Sequence, residues 1–376
     1  MTSTWCNWPH GRSIRIPAVT RSHRLLGGGE FTPRHAMQCR LGASLRATAL
    51  ALTVILMPMR QAMCSQSPPA GGSVANGTYA GSPIAQSDKA SRADSSDRWL
   101  REAQELVRQN KLDEAEAAIG RYLSEVPGSM EGHVLLGFIL FQEDKPNDSL
   151  LALAAAKKSH TPNGFAIKII GLDYAMLKQY SLADQWLTRA LSLQPNDAAG
   201  WQWLGDVKIR ETFLDSALTC YQKSIEIDPG NADSQNAVGA LYESMGRTAE
   251  ATDAFRKAVS LQPSTGPIDP VPYYNLGRIL VDQHHAQEAL PYLLQAVEID
   301  PESSEAHEQL AKAYSALNRL TESEQEFDAA IARAPNKAAL HFQLGQLYKK
   351  QGEMEKAQVE FDRFRQLSNP GELMTK

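Results

Sequence analysis

Three histidines at a recurring position, one cysteine in the body of the chain and a scatter of cations and aromatics are the residues with chemistry to offer. His133, His307 and His341 share that position, the last two 34 residues apart, yet no third metal ligand follows them at helical spacing. Trp99, Trp201 and Tyr273 hold the same position elsewhere, so it takes a large flat side chain, and the histidines read as packed residues. His284-His285 falls in a turn and reads as exposed. A reactive thiol at Cys220 would need a cationic neighbour; only Lys223 is near in sequence, so Cys220 reads as packed and inert. No H-E-x-x-H, G-x-x-x-x-G-K-[ST], G-x-S-x-G or strand-led G-x-G-x-x-G occurs, and Gly27-Gly28-Gly29 has no strand or helix around it. These residues assemble no catalytic, metal or cofactor site, and the chain reads as a non-enzyme with no cofactor.

What positions them must therefore be read from the rest of the chain. With 43% hydrophobic and 22% charged residues over 376 positions, most of the sequence can bury a core. Net charge is −5 but unevenly spread: residues 1–64 carry eight arginines and one acid, Glu30, so the remainder is strongly acidic. An acidic body argues against nucleic acid as a partner, since displacing counterions from phosphates needs a cationic surface. Cys6, Cys39 and Cys64 lie in the basic segment, leaving Cys220 with no internal disulfide partner.

Residues 1–64 read as a basic leader. Arg40 and Arg46 precede an apolar run over 47–57, and small or polar residues follow at Ala62-Met63-Cys64-Ser65, the order of an export signal. Eleven apolar residues are too few to span a bilayer of about 30 Å. A cleaved signal and an exported body are the expectation; the alternative is a membrane anchor through residues 41–59, which would enclose Arg46. The stretch before Met37 is long for a charged n-region, and Met37 would begin a leader of ordinary proportions. A transit peptide is opposed by the glycine triplet and by Pro9, Pro17, Pro33 and Pro58, and a lipoprotein reading at Cys64 by Gln61-Ala62-Met63. Contact with a membrane is expected only through an uncleaved leader. Residues 65–95, rich in Ser, Ala, Gly and Pro, read as a disordered linker. Asn76-Gly77-Thr78 is a glycosylation acceptor only in a eukaryotic secretory host.

From residue 96 the sequence repeats. Pro195, Pro229 and Pro263 are 34 apart, as are Gly137, Gly171, Gly205 and Gly239, and Ala183, Ala217 and Ala251 run in the same frame. One unit reads Trp201-x-x-Leu204-Gly205-x-x-Lys208, then Ala217-x-x-x-Tyr221, then Pro229; the next gives Val238-Gly239-x-x-Tyr242, Ala251, Phe255, Ala258 and Pro263. This pattern resembles the tetratricopeptide repeat family. The frame yields eight units, 96–129, 130–163, 164–197, 198–231, 232–265, 270–303, 304–337 and 338–371, with a tail at 372–376. The resemblance implies an all-α, right-handed superhelical solenoid of about eight helix-turn-helix repeats. Within each unit, slots 4, 7 and 11 share one helical face and slots 20, 24 and 27 face inward from a second helix. Gly or Ala at slots 8 and 20 allows close approach of the two helices, and Gly246 and Gly352 mark the turn between them.

Departures from the pattern are local. Glu102 and Tyr122 suit an end cap, Ser149 stands at slot 20 of the second repeat, and Gly266-Pro267-Ile268-Asp269 insert a longer loop. No amphipathic helix follows the eighth repeat, so its last face is expected to be exposed or covered by a partner.

The family binds extended peptides through slots 2, 5, 9 and 12 of the first helices, and the resemblance implies a protein or peptide partner here. Those slots give three zones: apolar (Val134, Phe138, Phe141, Phe165, Leu172), acidic (Asp206, Asp233, Asn236, Glu243), and cationic with aromatics (Tyr274, Arg278, Lys312, Phe342, Gln346, Lys349). Only Lys168 and Asn236 echo the carboxylate clamp of some relatives. The third zone is the expected site, for an acidic or C-terminal segment shared by Arg278 and Lys312. Two functions fit: an exported interaction scaffold, and an accessory subunit of an envelope enzyme or secretion machine.

Overall fold

Residues at slots 34 and 15 of the repeat set where each helix starts and stops. The computed structural model describes residues 4–7, 13–16, 97–157, 163–263 and 268–368. Sixteen helices follow one another among them. The first eight are α1 (97–108), α2 (Leu112–Glu125), α3 (Met130–Gln142), α4 (Pro146–Lys157), α5 (Gly164–Met176), α6 (Tyr180–Leu193), α7 (Ala198–Arg210) and α8 (Leu214–Ile227). The rest are α9 (Ala232–Ser244), α10 (Thr248–Ser260), α11 (Pro270–Asp282), α12 (Ala286–Ile299), α13 (Ser304–Ala316), α14 (Leu320–Arg333), α15 (Ala338–Gln351) and α16 (Met354–Ser368). The fold is an all-α tetratricopeptide solenoid. Two short strands, β1 (Thr4–Asn7) and β2 (Ser13–Ile16), pair antiparallel with Thr4 opposite Ile16, an element the reading of the leader does not contain. The apolar run 47–57, the linker 65–95, Gly266-Pro267 and the tail lie outside the described residues.

Ser129, Asn163, Asp197, Asn231 and Ser303 occupy slot 34, and each side chain accepts a hydrogen bond from the amide three residues on, at 2.8–3.2 Å. Each thereby satisfies a donor that has no intrahelical partner in the first turn. Asp269 does the same for α11, accepting from Val271 N at 2.9 Å, so the inserted loop still ends in a cap. Slot 15 turns the chain back through a left-handed residue in all eight repeats. Gly246 and Gly352 supply it without strain, but Asn110, Asp144, Lys178, Thr212, His284 and Asn318 adopt φ of 59° to 67°. His284 is thus a turn residue, as the sequence suggests, held there by backbone geometry.

Close packing within each hairpin follows from slot 8. A Cβ on Gly239 would lie 2.6 Å from the Phe255 ring, and one on Gly277 2.5 Å from Leu293, so neither site admits a side chain at the present separation. Phe255 and Leu293 are both fully buried, each burial contributing about 1.5–3 kcal/mol. Ser149 keeps slot 20 small and donates its hydroxyl hydrogen toward the carbonyl of Gly137 at 2.8 Å; Ser323 repeats this with Ala311 at 2.8 Å.

The described helices divide into two compact units, 97–220 and 221–368, with the division inside α8. In the first, Leu100, Ala103, Ala115, Ile119, Leu135 and Ile139 form a core at the N-terminal end. In the second, Ala311, Phe327, Leu344, Leu347, Tyr348 and Ala357 form one at the C-terminal end. Only Ala357 of α16 is buried, and Met354 and Val359 remain 61% and 64% exposed, which leaves the last face open as expected. Among the described residues no helix is long and apolar enough to cross a membrane.

Candidate functional site

The histidines have a structural explanation. At slot 4, ring nitrogens meet the carbonyl of the proline six residues earlier: His133 Nε2 to Pro127 O at 2.9 Å, His307 Nε2 to Pro301 O at 3.1 Å, His341 Nε2 to Pro335 O at 3.2 Å. Trp201 Nε1 donates to Pro195 O at 2.8 Å in the same way. In these four repeats the slot 4 ring nitrogen thus closes the inter-repeat turn. Nδ1 of His307 and of His341 pairs with Glu326 and Glu360 at 2.6 and 2.7 Å. Cys220 is buried, and burial pushes its thiol up to about 11 against the smaller opposing charge of Lys208, so it is not poised as a nucleophile. No group of three or more metal-ligating residues gathers among the described residues.

What remains is the face made by the first helices. In the first unit the apolar zone is largely closed: Val134, Phe138, Phe141 and Leu172 are buried. Phe165 is half-buried, its ring 5.5 Å from that of Phe138. Lys168 sits 5.0 Å over the Trp203 ring and pairs with Asp197 at 2.7 Å.

In the second unit, consecutive first helices are joined through their slot residues. Asn275 Nδ2 on α11 donates to Asn236 Oδ1 on α9 at 2.9 Å. Arg278 spans the same two helices, donating from both terminal nitrogens to Glu243 at 2.7 and 2.5 Å, with Asp282 at 3.3 Å. On α13, Glu308 accepts from Lys312 Nζ at 2.6 Å, from Lys337 Nζ at 2.8 Å and from Gln343 Nε2 of α15 at 3.1 Å. Burial works to raise the Glu308 carboxyl, but the ammonium groups of Lys312 and Lys337 outweigh it and hold it down at about 2.

The six residues of the third zone thus differ in kind. Arg278 is 1% exposed and spent on Glu243; it is a bridge between α9 and α11, not an open receptor for an anion. Lys312 is half-buried and bound to Glu308. Tyr274 is half-buried, and the low-polarity surroundings push its phenol up. Phe342, Gln346 and Lys349 are exposed on α15, with the Phe342 ring 5.2 and 5.9 Å from those of Phe364 and Phe361. The shared anion site expected of Arg278 and Lys312 is not formed, because each cation already has a carboxylate on the same face.

One set of residues the sequence reading passed over. Slot 6 holds Asn275, Gln309 and Gln343, 34 residues apart, and the carbonyl oxygen of each amide is enclosed without a hydrogen-bond partner among the described residues. Their common slot and chemistry were visible as spacing.

The architecture agrees with comparison to known proteins. The family model described as the Cilia and flagella-associated protein 70 C-terminal domain matches residues 44–311, and a tetratricopeptide repeat model matches residues 308–363. The chain belongs to this tetratricopeptide repeat family. It is 23% identical over 181 residues to the anaphase-promoting complex subunit 3 of Schizosaccharomyces pombe, covering 48% of this chain and 27% of that protein. It is 23% identical over 191 residues to the peroxisomal targeting signal receptor of Komagataella phaffii, covering 48% and 32%. The chain therefore spans about a third or less of these relatives' own length. A solved structure of pilF from Pseudomonas aeruginosa superimposes with a TM-score of 0.51 at 18% identity, covering 59% of this chain and 99% of that one, a likeness of fold.

Proposed function

We propose that this protein is a non-enzymatic scaffold that binds a protein or peptide partner along the first-helix face of its second unit, outside the cytoplasm. The observation that carries this reading is the pair of polar junctions, α9 to α11 and α13 to α15, beside exposed Phe342, Gln346 and Lys349 on α15. Such a face offers directional hydrogen bonds beside an aromatic anchor, the composition that holds partners at interfaces. The names of two relatives support binding, one a receptor for a targeting signal and one a subunit of a complex, although others are named as transferases. The basic leader with its apolar run 47–57 supports export.

A second reading, an accessory subunit of an envelope enzyme or a secretion machine, is favoured by the open last repeat. Met354, Val359 and Phe342 are exposed there, and a permanent partner would cover them. The test is affinity capture with the full chain from its native envelope, comparing Phe342→Ser/Lys349→Glu with the outer-surface change Lys257→Glu. Loss of the partner only in the double variant supports the first-helix face. Loss only with Lys257→Glu overturns it, and aggregation relieved by the captured partner selects the accessory-subunit reading.

A further inference from the structure

This inference rests on the first-helix face being the partner surface, and it concerns what covers that face before a partner arrives. The antiparallel ribbon of β1 and β2 belongs to the second unit, and β1 packs against α9 and α11. Its register runs from Thr4 opposite Ile16 to Asn7 opposite Ser13. A lone two-stranded ribbon is marginal in water, so this one depends on the helices it lies against. The stretch before Met37, longer than a charged n-region requires, thereby has a place in the fold.

Charge favours the same seat. Residues 1–16 hold Arg12 and Arg15 and no acid. Helix α9 carries Asp233 and Glu243 and no base, and α11 is capped by Asp269 and ends at Asp282. The one cation of α11, Arg278, is committed to Glu243. At slots 5 and 9, Asn236 and Arg278 are buried, whereas Phe342 and Gln346 at the same slots of α15 stand exposed. The ribbon is tethered to the face, so an outside segment must compete with an intramolecular one.

We infer that the basic leader is an internal cover for the face over α9 and α11, and that its removal with the export signal opens that end of the partner surface. The intact chain presents Phe342, Gln346 and Lys349 on α15; the processed chain presents α9 and α11 as well.

The test uses the full chain, wild type against Trp5→Pro/Ile14→Pro, which breaks the ladder of both strands and leaves every helix residue unchanged. The probe is a fluorescein-labelled peptide of residues 1–20 under reducing conditions, read by anisotropy at about 50 and 300 mM salt. The double variant is expected to bind it at least about tenfold more tightly than wild type, whose own leader holds the site, and less tightly at the higher salt. Helical circular dichroism of the two chains should match. Placement is read independently in a chain carrying Cys39→Ser, Cys64→Ser and Cys220→Ala. There a short bismaleimide on Cys6, within β1, is expected to reach the thiol introduced by Asp233→Cys or Asp282→Cys and not that of Lys257→Cys. Equal affinity of the two chains for the peptide, binding by neither, or a crosslink to position 257 alone or to none of the three overturns the cover. The partner reading then still stands, because it is tested separately at Phe342 on α15. Leader binding as expected, with no partner captured at Phe342, discards the partner reading instead.

Discussion

Asp173→Asn should flatten the pH dependence of stability in α3 to α6. Asp173 is fully buried on α5, and Ser149 Oγ lies 2.7 Å from its Oδ2. The other carboxylate oxygen has no partner among the described residues. Burial, opposed only weakly by Ser149, pushes the carboxyl from 3.8 to about 8. The neutral acid makes a consistent relay: Asp173 donates to Ser149, which donates to the carbonyl of Gly137. A raised folded-state value means the native protein holds this proton after the unfolded chain has released it. Stability from this group is thus complete below about pH 4, falls as pH rises to about 8, and then levels off. At about 1.4 kcal/mol per pH unit, the acid costs up to about 4 kcal/mol at pH 7 relative to a side chain that stays neutral. Asparagine keeps the shape and can donate from Nδ2 to Ser149, so the variant should gain stability at neutral pH and match wild type in acid. The assay is thermal melting with amide exchange in α3 to α6, from about pH 4.5 to 8.5. Parallel profiles for the two proteins would refute the neutral-acid reasoning.

Three further substitutions test the packing. Gly239→Leu should lower the melting temperature through a loss of about 1–3 kcal/mol or more, since the site is 2.6 Å from Phe255, whereas Gly120→Leu, with open space at Cβ, should not. Thr212→Gly should stabilise by up to about 1 kcal/mol in denaturant unfolding, because a β-branched residue at φ 67° is strained where glycine is not. Glu243→Gln should destabilise by about 1–3 kcal/mol, measured the same way, because it removes the nearer charge partner of the buried guanidinium of Arg278 and leaves it only the more exposed Asp282 at 3.3 Å.

The repeat frame was legible because its determinants are local: slot 8 is small, slot 34 caps, and slot 15 turns. Six of the eight turn residues are not glycine, so Lys178 and Thr212 gave no sign of their left-handed backbone. Slot 4 read as a packing position, which it is, but its hydrogen bond to the preceding proline carbonyl depends on how one repeat meets the next. The candidate site was legible only in part. Slots 2, 5, 9 and 12 named the face, yet charge type alone could not show that Arg278 meets Glu243, 35 positions away, or that Lys312 folds back on Glu308. The slot 6 amides were missed because their importance lies in which atom remains unpaired after folding.

The central claim is that partners bind the first-helix face of the second unit. Photocrosslinking from a benzophenone side chain at Phe342, set against one at Leu294, exposed on the second helix α12, tests it most directly in the full chain in its native setting. The account predicts a defined crosslinked partner from position 342 and none from 294; the same partner captured from 294 and not from 342 would contradict it.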